Sequence, residues 1–72
     1  MSVQLTEDEL SNIRKRLTEL KIEHRDLDDA IDHLVATGTF EELKIKRLKK
    51  RRLQLRDHIA RLENALIPDI LA

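Results

Sequence analysis

Three side chains of this sequence have the types and spacing to act together: His24, Asp28 and Arg52. Asp28 follows His24 by one helical turn, so a single carboxylate can orient the imidazole on its own helix and a guanidinium on another. Both basic members fall where a hydrophobic residue is due, and two readings follow. One is a polar layer inside an apolar seam, fixing register and strand number at some cost in stability while the head of Arg52 snorkels outward. The other is a proton-linked switch, because a protonated His24 would repel Arg52. His24 with Asp28, and Asp29 with His33, are also i, i+4 pairs that can present two ligands to one divalent metal. No third or fourth ligand converges on either pair, so no metal site is assigned. His58, beside Asp57, reads as part of a solvated flank.

A second constellation is basic. Residues 44–56 contain Lys44, Lys46, Arg47, Lys49, Lys50, Arg51, Arg52 and Arg56 and no acid. Such a run attracts phosphates, which makes a nucleic-acid-associated accessory protein the alternative function for this chain. Against it stand a net charge of zero, an acidic segment elsewhere in the chain, and Phe40 as the lone aromatic where base-stacking surfaces need several. Catalysis finds little to use. The serines are Ser2 and Ser11, there is no cysteine, and a single glycine cannot form a glycine-rich phosphate loop. Neither enzyme activity nor a cofactor is expected.

The elements that would position these residues are helices. Apolar residues make up 40 % of the chain and charged ones 39 %, the profile of long, exposed helices. With 72 residues there is room for one structural unit. The absence of cysteine excludes disulfides and gives no sign of an oxidising compartment, so a cytoplasmic location is expected. No run of eighteen apolar residues occurs, and residues 1–7 lack a basic stretch leading into an apolar one. Neither a membrane span nor export by that route is expected.

Thr6 and Glu9 form a capping box, with Leu5 and Leu10 as its hydrophobic staple, and mark the start of a helix over 7–36. Its apolar positions run Leu10, Ile13, Leu17, Leu20, His24, Leu27, Ile31, Leu34, in alternating steps of three and four that define a heptad seam. A turn follows at 37–39, where Gly38 can take the left-handed conformation that ends a helix, and Thr39 with Glu42 offers a second capping box. A second helix over 40–67 carries the seam Ile45, Leu48, Arg52, Leu55, Ile59, Leu62, Leu66, and Pro68 stops it.

Folding the chain back about Gly38 brings the two seams into register. Ile31 meets Ile45, Leu27 meets Leu48, His24 meets Arg52, Leu20 meets Leu55, Leu17 meets Ile59, Ile13 meets Leu62 and Leu10 meets Leu66. Two separate heptad patterns thus share one mirror point, and their only polar members land opposite each other. Charge favours the same pairing. Residues 1–43 hold five Lys/Arg against eleven Asp/Glu, and residues 44–72 hold nine against three. Asp26, Asp28, Asp29 and Asp32 should then lie level with Lys44, Lys46, Arg47, Lys49 and Arg51, each pair contributing roughly 0–1 kcal/mol.

The expected fold is therefore all-α, an antiparallel two-helix hairpin of coiled-coil character. A hairpin buries one narrow stripe, and Ile22, Ala30, Val35, Leu53, Ala60 and Ala65 fall outside it. A second copy could cover them in a four-helix bundle, so a homo-oligomer is expected. The C-terminal residues 67–72, with 68–72 as the tail beyond the helix, are apolar for a free end: Ile67, Pro68, Ile70 and Leu71 either fold over the helix ends near Leu5 and Leu10 or dock into a partner. These features favour a protein-interaction module of unspecified process.

The stretches His24-Arg25-Asp26-Leu27-Asp28-Asp29-Ala30-Ile31 and Leu48-Lys49-Lys50-Arg51-Arg52-Leu53-Gln54-Leu55-Arg56-Asp57-His58-Ile59 resemble the two motifs of the YdcH-like family, H-x-x-L-D-x-x-I and L-K-K-x-K-L-x-L-K-D-x-I. The resemblance covers about residues 17–66, and the Pro68-Asp69-Ile70 ending is similar to that of some members. Arg52 and Arg56 stand where the pattern commonly has Lys, which keeps the charge but changes the donor geometry. The resemblance implies a short bacterial helical hairpin of unknown function, located in the cytoplasm, and supplies no activity, catalytic residue or partner.

Overall fold

A computed structural model of the chain describes residues 5–38 and 41–66. They form two α-helices, α1 (Glu7–Ala36) and α2 (Glu42–Leu66), and no strand occurs among the described residues.

Local chemistry fixes both ends of α1. Thr6, in an extended conformation, caps the start: the Glu9 N–H donates to the Thr6 hydroxyl at 3.1 Å, and the Thr6 N–H donates to the Glu9 carboxylate at 3.2 Å. Two donors that the helix would otherwise leave unpaired are satisfied reciprocally. Glu7, Asp8 and Glu9 also place negative charge at the positive end of the helix dipole. At the other end the Thr37 N–H donates to the His33 carbonyl at 3.0 Å and the Gly38 N–H to the Val35 carbonyl at 3.2 Å. Gly38 has φ +67°, the left-handed turn that releases the chain from the helix. A Cβ there would meet nothing within 4 Å, so glycine is favoured by backbone conformation alone.

α2 begins at Glu42, with the Glu41 carbonyl accepting from the Ile45 N–H at 3.0 Å. The expected start at 40 and end at 67 rest on Phe40 and Ile67, which lie outside the described residues, as does Thr39 of the second capping box. Glu41 itself is not helical. The apolar tail, with Pro68, Ile70 and Leu71, also lies outside them.

The helices run antiparallel, since Lys21 of α1 pairs with Glu63 of α2 while Asp28, further along α1, pairs with Arg52, further back on α2. All fifteen seam positions named above are buried or half-buried. Outside the seam only Leu5 and Asp28 share that property, and every other described residue is exposed. The innermost side chains are Leu17, Leu20, Ile31 and Leu55. Leu20 and Leu55, the two most enclosed, are partners in the mirror pairing and sit one step from the His24 and Arg52 level. The molecule measures 50 × 22 × 15 Å, as a single layer of two helices should, since thirty residues at about 1.5 Å each span about 45 Å.

Because so few side chains are fully enclosed, each carries a large share of the cohesion. Leu20→Ala or Leu55→Ala is expected to destabilise the hairpin by about 2–5 kcal/mol, whereas Leu53→Ala, on the surface, should change it by no more than about 0.5 kcal/mol. Urea titration followed by circular dichroism measures the difference.

Candidate functional site

The polar layer forms at mid-height as the seam pattern requires, and its internal pairing is specific. Arg52 is half-buried, and its Nη1 donates to Asp28 Oδ1 at 2.7 Å. The guanidinium leaves the seam on the flank where Asp28 stands, so its stem packs inside while its charge is met at the edge. His24 is half-buried beside them and makes no hydrogen bond among the described residues. Asp28 therefore orients Arg52 and not His24. No buried side-chain nitrogen or oxygen among the described residues lacks a partner, so this layer leaves no trapped polar atom.

Two further ion pairs bridge the helices. Lys21 and Glu63 stand 3.6 Å apart on the flank that carries Asp28, and Arg51 and Glu23 stand 3.0 Å apart on the opposite flank. The sequence reading set Asp26, Asp29 and Asp32 level with Lys44, Lys46, Arg47 and Lys49. Among the described residues none of these acids bridges to α2, and Lys44 pairs with Glu41 of its own segment at 3.6 Å. The reason is angular: only positions next to the seam reach the facing helix, and Asp26, Asp29 and Asp32 lie further round α1. Asp28 and Arg51, named in that reading, do bridge the helices, though to Arg52 and Glu23; counting one residue out from each seam position would have added Lys21, Glu23 and Glu63.

On the Lys21 flank an open groove runs along α2, lined by His24, Asp28, Lys49, Arg52, Leu53 and Arg56 and continuing over Ile59, Ala60 and Glu63. Leu53 is 66 % exposed. Ile22, Val35 and Leu43 are the other large apolar side chains left facing solvent. Of the basic run, Lys46, Arg47, Lys49, Lys50 and Arg56 are exposed and make no ion pair among the described residues. Among the described residues no three His, Asp or Glu side chains come together as ligands for a metal ion, and the pair Asp29 and His33 stands on the exposed side of α1. No helix of the described residues is long and apolar enough to cross a membrane.

If the polar layer sets register at the expense of stability, joining the apolar seam across it should reverse both effects. The double variant His24→Leu with Arg52→Leu is expected to melt at higher temperature and to populate larger oligomers, read by thermal circular dichroism and sedimentation velocity.

Residues 17–63, which include both quoted motifs, match a family model whose description is "Protein of unknown function (DUF465)". No curated protein matches the chain, and no solved structure does.

Proposed function

The chain belongs to the YdcH-like family, which is the DUF465 family of unknown function, and from its surface we propose a non-enzymatic helical module that binds protein, its own copy or a partner chain. The observation that carries this reading is Leu53, a large aliphatic side chain exposed at mid-height beside the open groove. Scattered surface leucines need no explanation, but Leu53 lines the same groove as Ile59 and Ala60, with Lys49 and Arg56 among its charged members. Among the described residues the one-layer hairpin has no second face to cover such a strip, and a further helix laid alongside is the standard solution. Self-association into a four-helix bundle through the other exposed apolar side chains, Ile22, Val35 and Leu43, and a cytoplasmic location belong to the same proposal.

The second reading, a nucleic-acid-associated accessory protein using Lys44, Lys46, Arg47, Lys49, Lys50, Arg51 and Arg56, draws support from those cations of the run that form no ion pair among the described residues. Counterion release would make such binding fall steeply with salt. Gel mobility of duplex DNA and of RNA, at low and at physiological salt, separates the two. The protein-binding module is expected to leave both unretarded at physiological salt, and to show self-association in sedimentation over a wide concentration range or a stable complex with a partner chain. A strictly monomeric protein that retards nucleic acid at physiological salt would reverse the order of the two readings.

A further inference from the structure

We infer that the groove beside Asp28 is a docking site for an acidic amphipathic helix of another protein, an inference that rests on the protein-binding reading and names its partner by chemistry. On α2 the groove is a stripe of Lys49, Leu53, Arg56 and Ala60, spaced four, three and four residues apart. That spacing places all four on one face of the helix, as cation, aliphatic, cation and small residue in turn. The surface that complements it has the same period with carboxylates and aliphatic side chains alternating, which is the face of an acidic amphipathic helix.

The charges inside the groove decide against the other occupants. Its two acids are already engaged, Asp28 by Arg52 at 2.7 Å and Glu63 by Lys21 at 3.6 Å. Lys49 and Arg56 have no ion pair among the described residues and frame Leu53 on either side. A second copy seated groove to groove would bring another Lys49 and Arg56 with no carboxylate to meet them, and like charges in a closing interface oppose association. A nucleic acid would satisfy the cations but leave Leu53 and Ala60 against its charged backbone, with no aromatic side chain in the stripe on which a base could stack. An acidic helix satisfies both kinds of residue together. The surrounding basic residues would also draw such a partner in, so association should slow as salt rises.

The test uses the full chain and fluorescently labelled probes followed by anisotropy. The probes are a synthetic helical peptide with Glu and Leu at alternating three- and four-residue spacing, the same peptide with Lys or Gln in place of Glu, poly-glutamate, and duplex DNA. The acidic amphipathic peptide is expected to bind most tightly. Leu53→Gln, and separately Lys49→Glu with Arg56→Glu, should each weaken it roughly tenfold or more while leaving the hairpin's melting curve in place, since all three residues are exposed. Four results would overturn the inference: equal binding of the Lys peptide; equal binding of poly-glutamate without dependence on Leu53; DNA binding that alone is lost in these variants; or self-association that needs Leu53 and that the acidic peptide does not displace. Peptide binding that ignores all three substitutions removes the groove but keeps the protein-binding reading. Failure of every peptide in a chain that also stays monomeric removes both.

Discussion

The structure depends on one stripe of aliphatic side chains closing against its own mirror image. Leu17, Leu20, Ile31 and Leu55 are the only buried side chains among the described residues, and they lie along a single line between two helices. Burial of this kind acts without direction, so it cannot by itself choose among registers that differ by one heptad. What selects the register is the combination of Gly38, which sets the fold-back point, and the polar layer, since a shift of one heptad would place Arg52 against Leu17 or Ile31.

Electrostatics adds specificity to that frame more than it adds stability. The three inter-helix ion pairs are all substantially exposed, and such pairs contribute roughly 0–1 kcal/mol each. They are distributed over both flanks, Glu23 with Arg51 on one side and Lys21 with Glu63 on the other, which steadies the hairpin against rotation of either helix about its axis. Asp28 has a double consequence. By holding Arg52 at the edge it keeps the seam closed, and it also uses up the groove acid nearest Lys49, so the flank stays positive around Leu53.

Much of this was legible in the sequence because heptad spacing reports burial almost residue by residue in a two-helix fold. Each seam member, from Leu10 to Leu66, is withdrawn from solvent, and Thr6 with Glu9 forms the cap that their spacing implies. The charge partners were less legible. Grouping acids and bases by height along the helix names Asp26, Asp29 and Asp32, but the angle round the helix decides which side chains reach across, and it favours Glu23 and Lys21. The groove was hidden for a related reason. The sequence places Leu53 with Ala60 among the apolar residues outside the seam, and the packed pair adds that they line one groove with Lys49 and Arg56 on the flank where Arg52 emerges.

The closed seam supplies rigidity, and one flank carries a basic, partly apolar strip, the surface on which the proposed partner helix would lie. The account fails if the chain does not fold back at Gly38, so the most direct test is a distance. Spin labels attached at Asn12→Cys and Arg61→Cys, both exposed positions in a chain without native cysteine, can be measured by pulsed electron resonance at low protein concentration. Adjacent helices packed about 10 Å apart should hold the labels within about 25 Å of each other, label arms included. A separation near 70 Å, the length expected for one continuous helix at about 1.5 Å per residue, would contradict the hairpin and everything derived from it.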